Sequence, residues 1–172
     1  EDSRIANALA KRALNYKAIE DYTSALSDLK NIIDEHQNST STELAYQQIA
    51  LIEGQKQNYP GLIDSYQSLL KKFPDSKANA EAHFWIGWGQ FELKKFEESS
   101  KSLREARKID SKSYFDRATL RIILAEYSQQ RVDAVKLELE NLRKTINKII
   151  IPPQIYLWLG VNLFDDKNYS ES

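Results

Sequence analysis

The chain has 172 residues, 41% hydrophobic and 28% charged, with a formal net charge of −1. That balance belongs to a folded chain, not a disordered one, and gives no electrostatic footprint for nucleic acid or an anionic membrane. There is no Cys, which excludes disulfides and thiolate metal sites.

Long stretches rich in Ala, Leu, Glu, Lys and Gln lie between turn signals, and five Gly and four Pro are too few for a loop-rich fold. Apolar residues recur at steps of three and four, as in Leu62, Tyr66, Leu69 and Leu70. In chain order, helices are expected at 5–17, 22–35, 42–56, 60–72, 77–93, 96–108, 113–129, 132–144 and 153–165. Pro60 falls in the first turn of its helix, where a missing N–H costs nothing. The breaks fall at Asn38-Ser39-Thr40-Ser41, Phe73-Pro74-Asp75-Ser76, Asp110-Ser111-Lys112-Ser113 and Pro152-Pro153. Ile149-Ile150-Ile151 is the longest aliphatic run, far short of the roughly 20 residues a membrane helix needs.

A beat runs through these segments. Tyr22, Tyr59, Phe96, Val132 and Tyr169 stand 37, 37, 36 and 37 residues apart. A period in this range marks a stacked repeat protein. Nine residues before each beat come Ala13, Ala50, Gly87, Ile123 and Gly160, and fourteen before it Ala8, Ala45, Ala82, Ala118 and Ile155. Seven after it come Leu29, Tyr66, Leu103 and Leu139. Small residues are expected where helices cross closely and large ones between. Short connections make the two helices of each repeat antiparallel neighbours. The chain also lacks Met, begins Glu1-Asp2-Ser3 and stops just after the fifth beat, so it is expected to be an excerpt of a longer protein.

The pattern resembles the tetratricopeptide repeat. Tyr46, Ile49, Ala50, Tyr59, Tyr66 and Pro74 match the family's order in the second repeat. Ala82, Ile86, Gly87, Phe96 and Ala106 match it in the third, and Tyr156, Leu159, Gly160 and Tyr169 in the last. The resemblance implies an all-α, right-handed superhelical solenoid of antiparallel helix pairs. The whole of 1–172 would be one solenoid, with repeats near 6–41, 43–78, 80–113, 116–150 and a truncated 153–172. The ending Leu69-Leu70-Lys71-Lys72-Phe73-Pro74-Asp75-Ser76 is similar to that of bacterial envelope repeat proteins, which implies a periplasmic or envelope setting; a cytoplasmic one stays open.

In this family the first helix of each pair lines the concave side, where peptides or partner helices bind. The matching positions are Phe84, Trp85 and Trp88 in repeat three, Leu120, Arg121, Leu124 and Tyr127 in repeat four, and Leu157, Trp158 and Val161 in repeat five. Trp, Tyr and Arg are the side chains that most often carry interface energy. Arg121 is expected between Trp85 and Trp158. The family's Lys/Asn clamp for a C-terminal carboxylate is not expected, because its positions here are mostly apolar or Gln. No cofactor, metal or catalytic constellation is expected: His83 and His36 read as structural, and no phosphate loop or nucleophile elbow is present. Lys94, Lys95, Lys101, Arg104, Arg107 and Lys108, with Glu92, Glu97, Glu98 and Glu105 interspersed, read as a solvated ion-pair stripe. The expectation is a non-enzymatic scaffold for a protein or peptide partner, with no nucleic acid and no membrane insertion in this segment. The alternative is an architectural arm whose aromatic stripe packs in homo-oligomers or against flanking sequence.

Overall fold

The computed structural model describes residues 2–144 and 149–165, which contain nine helices and no strand. They are α1 (Asp2–Ala18), α2 (Tyr22–Glu35), α3 (Ser41–Gln55), α4 (Tyr59–Lys72), α5 (Asn79–Glu92), α6 (Phe96–Ile109), α7 (Ser111–Ser128), α8 (Val132–Arg143) and α9 (Pro153–Asp165). Tyr22, Tyr59, Phe96 and Val132 are the first residues of α2, α4, α6 and α8. The fifth beat, Tyr169, lies outside the described residues. Helix α7 starts two residues earlier than the spacing predicts. The Asp110 carboxylate accepts the Ser113 N–H at 3.1 Å and caps that end; interaction with the Ser113 side chain, and then with this N–H, holds the Asp110 carboxyl below its ordinary range.

The turn inside each pair repeats one backbone solution. Glu20, Gln57, Lys94 and Gln130 all take a left-handed φ of 57–60°. The next N–H then reaches five residues back, as from Asn58 to Glu53 O at 2.8 Å and from Lys95 to Gln90 O at 2.8 Å. This is the Schellman ending that usually carries Gly. A residue with a side chain there costs about 1 kcal/mol, so packing of the flanking helices must outweigh it.

The core is a series, not a ball. Ala6, Ala13, Leu29, Ile32, Ala45 and Ile49 form one cluster across α1–α3, and Leu62, Tyr66, Leu69, Ala82 and Ile86 another across α4 and α5. Phe84, Leu103, Ala106, Ala118 and Ile122 join α5–α7, and Ile123, Val135, Leu139, Ile155 and Leu159 join α7–α9. Each cluster takes residues from two successive pairs. Neither pair hides its apolar face alone, which is the logic of a stacked repeat. Ala8 is the exception among the small positions: it is exposed.

Each helix packs on the next in sequence, and α1 also touches α3 while α5 touches α7. Second helices make no comparable contact with one another. First helices that approach each other while second helices diverge define a curve with the first helices on its inner side.

Two arginines leave the surface stripe that the sequence suggests. Lys101 and Lys108 do pair with Glu97 and Glu105 in solvent. Arg107 instead donates to Glu138 Oε2 at 2.7 Å and to Thr119 Oγ1 at 2.8 Å, and Arg104 to Glu126 Oε1 at 2.9 Å. Glu126 and Glu138 are buried. Arg131 Nη1 stands 3.5 Å from Glu126 Oε2, an ionic approach without hydrogen-bond geometry. The network ties α6 to α7 and α8.

A Cβ on Gly87 would sit 2.7 Å from Leu103 Cγ and 3.1 Å from the Leu103 backbone nitrogen, so two helices would have to part. Gly87→Ala is expected to destabilise the fold by about 1–3 kcal/mol. A Cβ on Gly160 would meet nothing within 4 Å among the described residues, so Gly160→Ala should be neutral or gain up to ~1 kcal/mol from helix propensity. Urea unfolding of the two variants beside the parent checks both. In the same assay Glu138→Ala should cost about 3 kcal/mol, because it strands the mostly buried Arg107 guanidinium.

Candidate partner-binding groove

On helix α5 the sequence places Phe84, Trp85 and Trp88 within two turns, and the helix sends them different ways. Phe84 is only 3% exposed and packs with Leu103, Ala106 and Ile122. It is therefore a core residue and not a surface for a partner, which corrects its placement on the open face. Arg117 covers its ring, with the guanidinium carbon 4.4 Å from the centroid. Trp85 and Trp88 stay half-buried on the inner side. Their rings stack at 4.7 Å with 17° between planes.

Arg121 completes this stack from α7. Its guanidinium carbon lies 4.4 Å over the Trp88 ring and 5.3 Å over Phe91. Trp88 Nε1 donates to Glu92 Oε1 at 2.7 Å, and Arg121 Nη1 approaches the same oxygen at 3.4 Å. Burial lowers the Arg121 pKa, opposed by Glu92. Arg121 is thus fixed on Trp88, not poised between Trp85 and Trp158. Cation–π contact and the shared carboxylate hold Trp88 rigid, and a rigid ring loses little entropy when it meets a ligand.

Beside the two tryptophans the inner surface opens into a cavity of about 330 Å³. Leu51, Gly54 and Gln55 of α3 form one wall and Trp85 and Trp88 of α5 the other. Tyr59 and Leu62 of α4 make the floor, and Lys17 at the end of α1 the rim. The cavity exists because α3 and α5 do not close on each other as α1 and α3 do. Leu62 rises between them where side chains are missing: a Cβ on Gly54 would come 2.8 Å from Leu62 Cδ1, and one on Gly89 3.2 Å from Leu62 Cδ2.

The remaining positions that the sequence points to form a second patch. Leu120, Leu124, Tyr127 and Trp158 pack partly buried against the last core cluster. Trp158 meets Tyr127 edge-on at 5.0 Å, and its Nε1 donates to Gln130 Oε1 at 2.7 Å. Leu157 and Val161 are exposed, beside Tyr156 and Phe164. Lys17, Gly54, Gln55, Tyr59 and Leu62 are cavity residues that the sequence pattern does not place on the concave face. A signal for two of them exists: Lys17 and Gly54 stand five residues before their beats, the position Tyr127 holds in repeat four.

An all-helical, right-handed superhelical solenoid of antiparallel pairs, with its first helices inside the curve, is a tetratricopeptide-like architecture. No family model and no curated protein matches the chain. Among solved structures it is similar to two of MamA, each at a TM-score of 0.62 and 20% identity. One likeness covers 81% of this chain and 79% of that one, the other 84% and 79%. At that identity the likeness concerns the fold. Among the described residues no helix is long and apolar enough to cross a membrane, and no three His, Cys, Asp or Glu side chains gather as metal ligands would.

His83 sits next to the groove residues on α5 and is half-buried; burial lowers its pKa against the opposing pull of Glu105. Below the ordinary His value of 6.5 the unfolded chain takes up a proton that the folded chain resists. Stability should therefore fall as pH drops from there toward the lowered value, and level off beneath it. Urea midpoints between about pH 7.5 and about pH 5.5 should show this slope, and His83→Gln should flatten it.

Proposed function

We propose that this chain is a non-catalytic interaction scaffold that grips a segment of another protein on its inner face. The observation that carries the proposal is the open-sided cavity beside Trp85 and Trp88. It has room for one large apolar side chain, and its aromatic wall is already immobilised by stacking and by Arg121. Pre-ordered aromatic anchors next to an apolar recess are the usual seat of interface hot spots. Trp85, Trp88 and Arg121 are the anchors in this proposal; Leu120, Leu124, Tyr127, Leu157, Trp158 and Val161 extend the contact toward α9. Phe84 supports the wall from inside. Nucleic acid is not part of the proposal, given the net charge of −1. The Leu69–Ser76 ending supports a bacterial envelope setting for such a scaffold.

A specific observation favours a second reading, self-association. Tyr156, Leu157, Val161 and Phe164 are each about half exposed or more, along a shallow recess of about 380 Å³ on α9. Exposed apolar faces of this kind mark contact surfaces. Sedimentation across a range of concentrations reports on it, since a monomer throughout removes this second reading.

Peptides selected from a displayed random decapeptide library test the scaffold proposal. Bound peptides are expected to shift the indole N–H resonances of Trp85 and Trp88, and Leu51→Trp, which fills the cavity, should weaken binding at least tenfold. Peptides that bind Leu51→Trp as tightly as the parent, or that shift only the outer faces of α4 and α6, overturn it.

A further inference from the structure

The cavity has one charged residue on its rim. Lys17 is partly buried there, at the last turn of α1. Its ammonium donates to Gln48 Oε1 at 2.8 Å, a neutral partner on α3. Among the described residues no carboxylate stands within ion-pair distance of it. Arg121, the cation stacked on the same aromatic wall, has Glu92 at 3.4 Å. Burial alone perturbs Lys17 and lowers its pKa. A cation that has given up part of its hydration without gaining a countercharge is held at a cost. A ligand carboxylate arriving there recovers that cost, while an amide or a second cation does not.

We infer that the segment bound in the groove carries an acidic side chain beside its apolar anchor. The anchor, an aromatic or long aliphatic side chain, enters between Leu51 and the stacked Trp85 and Trp88, over Leu62. The carboxylate meets Lys17 at the rim, replacing or joining Gln48. This rests on the groove reading above and adds the chemical class of the partner: a protein segment in which an acidic and a large apolar residue lie close together. Basic segments are disfavoured, because they would bring a second cation to an unanswered one. The rim geometry also orients the segment, since only one end of the cavity offers the charge.

The test uses small probes of both halves at once: 3-phenylpropionate, 4-phenylbutyrate and 5-phenylpentanoate, each beside its neutral primary amide. Binding is read from the Trp85 and Trp88 indole N–H resonances. At least one acid should bind roughly fivefold tighter than its amide, the size set by a partly solvated ion pair. The difference should close in Lys17→Met, persist in Lys17→Arg and shrink at high salt. Circular dichroism confirms that both variants stay helical. Acids and amides that bind alike overturn the inference and leave the groove reading standing. So does a preference for the acids that survives in Lys17→Met. Failure of every probe to move either indole overturns the inference and the groove reading together.

Discussion

Everything in this molecule depends on how closely the two helices of a pair can cross. Ala13, Ala50 and Gly87 occupy one equivalent position, and all are buried. At Gly87 the approach is so close that not even a methyl group fits without moving Leu103. Ser99 Oγ also donates to the Gly87 carbonyl at 2.7 Å, across the same crossing. Because each pair closes this tightly, its large residues are pushed outward to the next pair. Leu29, Tyr66 and Leu103, at the matching position of the second helices, are 1%, 0% and 0% exposed. The stack follows from that displacement, and so does the curve, because α1 touches α3 and α5 touches α7 while no two second helices make a comparable contact.

The groove is a by-product of the same geometry. On the inner side the first helices approach one another, but α3 and α5 leave a gap that α4 floors with Leu62. Glycines at 54 and 89 let Leu62 stand high in that gap, so it is shallow and apolar, not deep and wet. The walls belong to different repeats. A ligand there would bridge α3 and α5, and its binding would couple to any change in curvature. Stiffness in the wall therefore matters, and the Trp85–Trp88–Arg121 stack supplies it within α5 and from α7.

Much of the fold was legible because the repeat samples each structural position several times. One Gly or Ala nine residues before an aromatic says little, whereas three of them, with a leucine or tyrosine seven residues after each beat, define a crossing. Side-chain direction was less legible. Phe84 and Trp85 are neighbours in sequence and both aromatic, yet one is core and one is surface, since 100° of helix rotation separates them. Counting positions from the beat puts both on the open face. Lys17 holds the position of Tyr127 in repeat four, but a lysine there carries none of the aromatic signal that marked Tyr127. The left-handed turn residues at 20, 57, 94 and 130 left no trace either, as none is Gly or Asn.

The fourth pair shows what happens when the small residue is lost. Ile123 replaces it and is fully buried, and α7 and α8 meet less extensively than any earlier pair. A branched side chain at the crossing holds the helices apart, so packing alone secures α8 less well. That is where the charges appear. Glu138 on α8 reaches Arg107 and Arg104 on α6, Arg107 is also fixed by Thr119 on α7, and Glu126 on α7 takes the second arginine. Ionic contacts act over longer reach than van der Waals contacts, and two long guanidinium side chains can span a gap that Leu and Ala cannot. The basic stripe of the third pair is therefore not only a solvated face. Two of its cations, Arg104 and Arg107, hold on the pair whose crossing the chain has loosened.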